Sequence, residues 1–422
     1  MAKLVRNSSG NTSEVRKEPA TPAALGYRMP AEWEPHAATW MAWPHYRGDW
    51  PGKFEPVPWV YAEITRNLAQ YERVELVVAD AAAERQARKL LERADALSTN
   101  VRFHRWPTNR VWMRDSGCIF VKRGADTVVR ERRAAAQECS PQLALSLSKG
   151  REPWVRAGED RAPAGRKNPS SNSLAPDANL EALKFRFNAW AKYSNWRHDE
   201  KIGRLMANAA GTRELRPLCV STRVVLEGGS IDVNGRGTVL TTEECLLSKV
   251  QQRNPGMSRA DYEKVFADYL GAPYVIWLGR GIFGDDTHGH VDDLTRFVSA
   301  DTVVTMVEPN PKDVNHKPLR DNLRRLQAAR DQDGQPFNVV EIPMPQPVVF
   351  EERRLPASYA NFYIANGVVL VPVFNRPNDR IALNTLAQLF PARSVVPIYS
   401  GDFIWGLGAM HCMTQQQPSR TV

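Results

Sequence analysis

The sequence predicts an α/β fold, because short β-rich runs alternate with amphipathic helical patterns along most of the chain. The apolar run VELVVAD (74–80) is followed by the charged, amphipathic segment AAAERQARKLLERADAL (81–97). Near the C-terminus, FYIANGVVLVPVF (362–374) is followed by a helical pattern around IALNTLAQLF (381–390), and then by the run SVVPIYS (394–400). Strands that alternate with helices in this way are typical of α/β proteins.

The middle of the chain carries its strongest hairpin signal. Two β-branched runs, VVLEGGSIDV (224–233) and RGTVLTT (236–242), are joined by Asn234-Gly235, a dipeptide that favours tight hairpin turns. Further along, YVIWLGRGIF (274–283) predicts a buried strand that enters a loop rich in glycine and aspartate. Both segments fit the α/β prediction.

Two segments depart from this pattern. Residues 1–20 are polar and lack apolar periodicity, so they are predicted to be a disordered N-terminal tail. Residues 21–422 are predicted to be a single catalytic domain, interrupted at about 123–181 by a stretch rich in Ala, Ser, Pro, Arg and Gly. We interpret this stretch as a low-complexity loop insertion, because loop-closure entropy grows slowly with loop length. A small subdomain is the alternative.

Composition and charge argue against several classes of protein. Of the 422 residues, 42% are hydrophobic and 24% are charged, as in an ordinary soluble globular protein. No apolar run approaches the roughly 18 residues needed to cross a bilayer, and no signal peptide is recognisable, so a cytoplasmic protein without membrane partners is expected. Of the net charge of +9, six charges lie in residues 1–20 and 122–180, which argues against binding of nucleic acid. The five cysteines form no C-x-x-C pair, so neither a zinc ribbon nor a disulfide framework is expected.

The segment GDDTHGHVDD (284–293) is the densest cluster of ionisable residues that could carry chemistry. So many carboxylates require a cation if they are buried. A metal is one candidate, because on an extended strand His288, His290 and Asp292 would share one face, as ligands of a metal-dependent hydrolase do. An organic guanidinium is the other candidate.

Residues elsewhere favour the organic cation. Trp112 and Asp115 lie together in NRVWMRDSG, and an aromatic ring beside a carboxylate suits a flat guanidinium. Taken alone, Asp115 is also explained as a surface partner of an arginine, and Glu227 before two glycines is equally ambiguous. Cys412 lies between His411 and a polar run, which indicates a thiol that meets a ligand rather than a buried apolar residue.

Seven motifs together resemble the agmatine deiminase family, within the guanidine-modifying superfamily of pentein α/β propellers. In chain order they are MPAEWEPHAATWMAWPH (29–45), WMRDSG, FNAW, LEGGSIDVNGRGTVLTTEECLLSK, WLGRGIFGDDTHGHVDD, YANFYIANGVVLVPVF and HCMTQQQP (411–418). The resemblance implies a propeller of five ββαβ modules around a central active-site pocket. It also implies hydrolysis of agmatine to N-carbamoylputrescine and ammonia, a step of putrescine biosynthesis, with no metal or organic cofactor.

The resemblance also implies roles for individual residues. Cys412 matches the nucleophile, His290 the general acid and base, and Glu227 the carboxylate that holds this histidine. Asp115 and Asp292 match the pair of carboxylates that clamp the guanidinium. Trp112 matches a residue that lines the pocket, and Asp286 matches the residue that faces the distal ammonium of agmatine. Relatives are often homo-oligomers, so self-association is expected, with the number of subunits left open.

The chain departs from the family pattern near the nucleophile. The segment GLGAM (406–410) stands where relatives have glycines and Asn-Ile, and His288 and Asp293 occupy positions that vary among relatives. These departures leave free or peptidyl arginine, or another small guanidine, as alternative substrates. A hydrolase that uses a metal bound by His288, His290 and Asp292 is a second alternative, and a non-catalytic RNA-binding protein is a third.

Overall fold

The computed structural model describes residues 20–123 and 179–420. Within these residues the strands are β1 (Tyr27–Arg28), β2 (His36–Ala42), β3 (Arg73–Val78), β4 (Val101–Arg105), β5 (Ile119–Arg123), β6 (Leu180–Leu183), β7 (Arg213–Leu215), β8 (Leu218–Cys219), β9 (Thr222–Arg223), β10 (Asp232–Val233), β11 (Thr238–Thr242), β12 (Tyr274–Leu278), β13 (Thr295–Phe297), β14 (Thr302–Val307), β15 (Asn338–Pro343), β16 (Val349–Phe350), β17 (Arg353–Arg354), β18 (Tyr363–Ile364), β19 (Val368–Val373), β20 (Ser394–Tyr399) and β21 (Gln415–Pro418).

Nine α-helices accompany these strands in the described part of the chain. They are α1 (Val57–Leu68), α2 (Ala81–Arg93), α3 (Met113–Ser116), α4 (Asp199–Ala209), α5 (Glu243–Leu247), α6 (Arg259–Val265), α7 (His316–Ala328), α8 (Asp379–Leu389) and α9 (Met410–Met413). Short 3₁₀ turns that matter for the site are Gly228–Ser230, Val291–Asp293 and Tyr359–Asn361. No helix among the described residues is long and apolar enough to cross a bilayer.

Five main sheets repeat one order of elements. Their strand orders are β21-β2-β3-β4, β1-β5-β6-β7, β10-β11-β12, β13-β14-β15 and β18-β19-β20. Each sheet contains an antiparallel pair, followed by a parallel pair whose connection contains a helix. The order strand, strand, helix, strand therefore occurs five times, which confirms the predicted five-module α/β propeller.

The two ends of the chain meet in one module. The C-terminal strand β21 pairs antiparallel with β2, so that Thr39 lies opposite Gln416. β21 also contacts β5 of the next sheet. Because α9 immediately precedes β21, this pairing fixes the C-terminal segment that carries Cys412.

Three of the nine described α-helices begin at a residue whose side chain caps them, and these residues are Asp80, Thr242 and Ser258. Asp80 caps α2, and its Oδ1 accepts hydrogen bonds from the backbone N–H groups of Ala82 and Ala83, both at 2.8 Å. Ala87 and Leu91 are four residues apart on α2 and are fully buried, whereas most other positions of this helix are exposed or partly exposed. The amphipathic segment at 81–97 was therefore predicted correctly, although the helix ends at Arg93.

The hairpin at Asn234-Gly235 is confirmed, but its first strand is shorter than predicted. β10 and β11 are antiparallel, with Val233 opposite Val239, and Asn234 Oδ1 accepts hydrogen bonds from the N–H groups of Arg236 and Thr238. Of the run 224–233, only Asp232–Val233 is a strand in this sheet. The two glycines allow the 3₁₀ turn Gly228–Ser230 instead, and this turn passes through the interior of the molecule.

Both predicted departures from the domain pattern lie almost entirely outside the described residues. Of the predicted tail, 1–20, only Ala20 is described, and of the predicted insertion only its edges are. At those edges Lys122 lies opposite Leu180, and the N–H of Arg123 donates a hydrogen bond to the carbonyl of Asn179 at 3.1 Å. The chain thus leaves and re-enters the fold at two adjacent points of one antiparallel pair.

This adjacency predicts that a two-residue Asn-Gly turn can replace residues 124–178. Two-residue turns are a common connection between antiparallel strands. Because a shorter loop costs less closure entropy, we expect the free energy of unfolding to stay equal or to rise by up to about 3 kcal/mol. Urea unfolding followed by circular dichroism measures this change.

The matched control keeps the original loop length but scrambles the order of residues 124–178. We expect this variant to unfold like the natural chain. If the shortened and the scrambled variants both lose several kcal/mol, the segment contributes to the fold and is not a dispensable insertion.

Candidate active site

A cavity of about 650 Å³ lies between the modules. Its wall includes Trp112, Asp115, Asp286 and Cys412, so the structure brings four of the seven predicted site residues onto one surface. The three others lie behind this wall and are fully or almost fully buried; they are Glu227, His290 and Asp292.

Two short helices place the deepest residues of the cavity. Asp115 lies in α3 and Cys412 lies in α9, and these helices contact each other. The carbonyl of Trp112 accepts hydrogen bonds from the N–H groups of Asp115 and Ser116, both at 3.2 Å. The tight turn after Trp112 therefore directs an aromatic ring and a carboxylate toward the same space.

Cys412 is buried beside carboxylates. Its Sγ lies 3.7 Å from Asp292 Oδ2 and accepts a hydrogen bond from Asn361 Nδ2 at 3.1 Å. Burial raises the pKa of the Cys412 thiol well above its ordinary value, and the neighbouring carboxylates of Asp292, Asp293 and Asp115 raise it further. The thiol is therefore protonated at neutral pH in the free protein.

Asp115 is held in one orientation by two hydrogen bonds. The N–H of Gly229 donates to Oδ1 at 3.0 Å, and Trp190 Nε1 donates to Oδ2 at 2.9 Å. Burial raises the pKa of Asp115 to about 6; His290 opposes this shift, and Asp292 adds to it. This carboxylate is thus costly to ionise unless another cation lies close to it.

His290 lies among three carboxylates without forming a close hydrogen bond to any of them. Its Nδ1 is 4.0 Å from Asp115 Oδ2 and 3.9 Å from Asp292 Oδ1, and its Nε2 is 3.9 Å from Glu227 Oε2. Burial alone would lower the pKa of His290, but Asp115, Cys245 and Glu227 together raise it well above its ordinary value. The imidazole is therefore protonated at neutral pH.

Glu227 is an ionised carboxylate in the interior. Arg253 Nε donates a hydrogen bond to Glu227 Oε1 at 3.1 Å, and both side chains are fully buried. Burial opposes ionisation of Glu227, but the charges of Arg253 and His290 lower its pKa to about 2. Its second oxygen, Oε2, is the atom that faces His290.

Two positions in the site need glycine because neighbouring atoms lie too close for a Cβ. A Cβ on Gly229 would lie 2.5 Å from His290 Nδ1, 3.0 Å from Asp292 Oδ2 and 3.1 Å from Asp115 Oδ1. A Cβ on Gly408 would lie 2.7 Å from the ring of Trp112. The backbone of these glycines therefore occupies space next to the reactive groups that no other residue could share.

Asp292 is linked to a second histidine that the sequence prediction did not assign. His411 Nδ1 lies 2.7 Å from Asp292 Oδ2, and His411 Nε2 lies 2.8 Å from Glu32 Oε2. Each ring nitrogen of His411 faces a carboxylate oxygen, and although burial opposes ionisation of these carboxylates, His411 contributes to lowering the pKa of both Asp292 and Glu32. Asp292 Oδ1 has no hydrogen-bond partner among the described residues.

Glu32 connects this pair to buried arginines. Glu32 Oε1 lies 2.9 Å from Arg296 Nη2, and Glu32 Oε2 accepts a hydrogen bond from Arg114 Nη2 at 3.2 Å. Arg296 Nε also donates to Asp232 Oδ2 at 3.1 Å. The chain of contacts from Asp292 to Asp232 thus alternates negative and positive charges through the interior.

The outer part of the cavity carries paired charges. Asp286 accepts hydrogen bonds from Lys192 Nζ and, at 2.7 Å, from the hydroxyl of Tyr193. Asp49 is similarly paired with Arg110. Asp286 lies on the cavity wall, as expected of a residue that contacts the tail of a substrate. It already has a cationic partner, Lys192.

The three predicted metal ligands do not converge. The prediction assumed an extended strand, but His288 and Gly289 have positive φ values of 65° and 92°, which turn the chain and separate His288 from His290. His288 Nε2 instead lies 3.1 Å from Ser248 Oγ, on a different groove. The prediction of a metal site formed by His288, His290 and Asp292 is therefore wrong.

Two other groups of potential ligands exist among the described residues, and both consist of buried residues. One consists of Glu227, Cys245 and His290, and the other of Asp292, Asp293 and Cys412. The carboxylates Glu227 and Asp292 already have cationic partners, Arg253 and His411 respectively. These groups are thus accounted for by contacts within the protein.

Sequence reasoning missed several residues that contact the predicted ones. They are Glu32, Trp190, Arg253, Asn361 and His411. Four of them lie within or directly beside motifs that carry the family resemblance, so the motifs contained the signal, but no local pattern assigned a contact to any single residue.

The described residues form a five-module α/β propeller whose cavity brings a thiol together with buried carboxylates. A sequence profile of the Porphyromonas-type peptidyl-arginine deiminase family matches residues 28–418. The chain belongs to this family.

Relatives cover nearly the whole chain. An agmatine deiminase of Ectopseudomonas mendocina is 31% identical over 94% of this chain and 97% of its own length, and one of Pseudomonas aeruginosa is 30% identical over 95% and 98%. The solved structure of agmatine deiminase of Enterococcus faecalis has a TM-score of 0.76 and 26% identity, covering 96% of this chain and all of that one. That of C. jejuni agmatine deiminase has a TM-score of 0.69 at 24% identity, covering 93% of this chain and 96% of that one, which supports the fold.

The buried charge chain predicts a large loss of stability from Arg296→Met. Methionine would leave Glu32 and Asp232 without the guanidinium that they share, and breaking a buried ion pair costs about 3–5 kcal/mol. Urea unfolding measures this loss. The control, Arg236→Met, breaks an exposed ion pair with Asp333, and we expect a loss of about 0–1 kcal/mol. Equal small losses would show that Arg296 does not stabilise the fold.

Proposed function

We propose that the protein is an agmatine deiminase, which hydrolyses the guanidinium of agmatine to N-carbamoylputrescine and ammonia through the Cys412 thiol. The observation that carries this proposal is a thiol set beside buried carboxylates, Asp115 and Asp292, next to a protonated histidine. Agmatine deiminases at 30–31% identity, matched along nearly their full length, support the choice of substrate.

Charge explains why a guanidinium suits this cavity. Asp115 Oδ2 and the unpartnered Asp292 Oδ1 both lie near His290 Nδ1, and carboxylates accept parallel N–H bonds from a planar guanidinium. A bound cation also favours ionisation of Cys412, whose pKa the carboxylates otherwise raise. Substrate binding thus prepares the nucleophile by releasing the thiol proton to solvent.

The first half of the reaction forms a covalent intermediate. The Cys412 thiolate attacks the guanidinium carbon and gives a neutral tetrahedral adduct. His290, which is protonated, donates its proton to one amino group, and this group leaves as ammonia. The carbon stays bound to sulfur as a positively charged thiouronium, which Asp115 and Asp292 stabilise.

The second half regenerates the thiolate. His290, now neutral, accepts a proton from water as the water oxygen bonds to the carbon. The carbon–sulfur bond then breaks, the thiolate leaves with the electron pair, and the hydroxyl proton passes to solvent so that a neutral ureido group remains. Glu227, held ionised by Arg253, favours the protonated form of His290 at the start of each cycle.

Free arginine is a second candidate substrate, favoured by the charges at the outer wall. Arg110, Lys192 and Arg353 lie on the cavity wall, where the carboxylate of an amino acid could pair with them. Arg110 and Lys192 are paired with Asp49 and Asp286. Because Asp286 is paired with the ammonium of Lys192, the ammonium of agmatine can take its place beside Asp286. We therefore rank agmatine above free arginine as the substrate.

The nucleophile is tested with Cys412→Ser. Serine is a much weaker nucleophile at this position, so kcat should fall by at least about 10³-fold. Release of ammonia and of the ureido product is measured with agmatine and with arginine in parallel, in EDTA. The control is Cys219→Ser, a half-buried cysteine outside the cavity, which should retain normal activity. Near-normal ammonia release from Cys412→Ser would refute the mechanism.

Recognition of the tail is tested with Asp286→Asn. Losing this carboxylate removes a partner for the ammonium of agmatine and frees the charge of Lys192, so KM for agmatine should rise about fivefold, equivalent to roughly 1 kcal/mol, with kcat little changed. The ratio of kcat/KM for agmatine to that for arginine should fall.

The matched control for this variant is Asp268→Asn, which removes a carboxylate paired with a lysine on the outside of the protein. It should leave both KM values unchanged. If Asp286→Asn behaves like this control, Asp286 does not contact the tail of the substrate.

A further inference from the structure

Asn361 is the side chain that links the nucleophile to the turn before β18. It ends the 3₁₀ turn Tyr359–Asn361 and is only 1% exposed. Its Nδ2 donates hydrogen bonds to Cys412 Sγ at 3.1 Å and to Asp293 Oδ1 at 3.0 Å. Its Oδ1 accepts hydrogen bonds from the N–H groups of His411, at 3.1 Å, and Cys412, at 3.3 Å.

These four contacts fix the direction of the amide. Two backbone N–H groups converge on one end of the side chain, so that end must be the oxygen. The nitrogen end therefore faces the sulfur, and its two hydrogens are directed to Cys412 and Asp293. Both side-chain N–H groups of Asn361 are used, and neither can turn away without leaving a buried polar atom unpaired.

The sulfur needs such a donor because its other neighbours oppose ionisation. Asp292, Asp293 and Asp115 all raise the pKa of the thiol, and burial raises it more than any of them. The backbone at Ala409 has the opposite effect. The amide of Asn361 adds a side-chain N–H, and hydrogen bonds to a charged acceptor are stronger than those to a neutral one.

We propose that Asn361 is a catalytic residue whose amide N–H stabilises the thiolate of Cys412. Asp293 accepts the second N–H and so acts as a positioning residue that keeps the amide directed at the sulfur. The role in turnover depends on the proposed function, but ionisation of the thiol can be measured without any substrate.

The experiment is alkylation of Cys412 by iodoacetamide in the full-length protein, followed from pH 6 up to the pH at which the rate levels off, by mass spectrometry of the peptide that contains this residue. Because the thiolate is the form that reacts, the midpoint of the rate profile reports its ionisation. In Asn361→Ala we expect the midpoint to move up by about one to two pH units, as loss of one charge-assisted hydrogen bond implies.

Steady-state kinetics with agmatine give a second readout. At neutral pH, kcat of Asn361→Ala should fall by about 10- to 100-fold with KM little changed, because the donor acts on the nucleophile and not on the substrate. If agmatine is not a substrate, the kinetic arm fails in the natural protein as well, while the alkylation arm still decides the role of Asn361.

The control is Asn322→Ala. Asn322 is equally buried, accepts a hydrogen bond from Gly279 N at 2.7 Å and donates one to the carbonyl of Arg280 at 2.8 Å, far from the thiol in the sequence and outside the cavity. It should lower Tm without moving the alkylation midpoint of Cys412.

An unchanged midpoint in folded Asn361→Ala would overturn the proposal, since the amide would then serve only to hold the backbone of Cys412. If Asn361→Ala does not fold, Asn361→Ser replaces it. Serine is neutral and can still accept a backbone hydrogen bond, but it is too short to reach the sulfur. A raised midpoint in this variant supports the proposal, and an unchanged one overturns it.

Discussion

The constraint on which the structure depends is the neutralisation of buried carboxylates. Glu227 has Arg253, Asp292 has His411, and Asp115 has His290 as its nearest cation. An uncompensated charge in the interior would cost several kcal/mol, so each of these pairs is needed for the fold as well as for chemistry. Among the described residues, each of these positively charged partners is already paired with a carboxylate. In the proposed mechanism the guanidinium of the substrate supplies the charge that favours the Cys412 thiolate, so substrate binding and ionisation of the thiol are coupled by the same requirement.

This constraint also ties the modules of the propeller to each other. Glu32 precedes β2, Asp232 begins β10 and Arg296 lies in β13, yet the three form one buried cluster. His411 extends the cluster to α9, beside the nucleophile. The charges that hold separate sheets together are thus continuous with those that hold Asp292, the carboxylate that we propose clamps the substrate. If that proposal holds, stability and catalytic geometry cannot be altered independently at this point.

Sequence patterns predicted the parts of this arrangement that are local. The helix after residue 80 and the hairpin at Asn234-Gly235 follow from periodicity, caps and turn residues, and they are present. The H-x-H-x-D pattern failed because left-handed backbone at His288 breaks the alternation that a strand would have. Asn361 could not be assigned because its partner, Cys412, is 51 residues away. Such contacts depend on how modules meet, which no short window of sequence records.

The two ends of the cavity differ in how tightly they are constrained. At the deep end, each reactive group is buried beside a charged or hydrogen-bonding partner, so a change of one residue leaves another polar or charged group unpaired. At the outer end, Lys192 is 40% exposed in its pair with Asp286, and exposed pairs are worth only about 0–1 kcal/mol. An exchange of charge there costs little stability. In the proposed enzyme, the preference for one guanidine tail over another can therefore change at the mouth of the cavity, while the proposed attack on the guanidinium carbon stays fixed at its base.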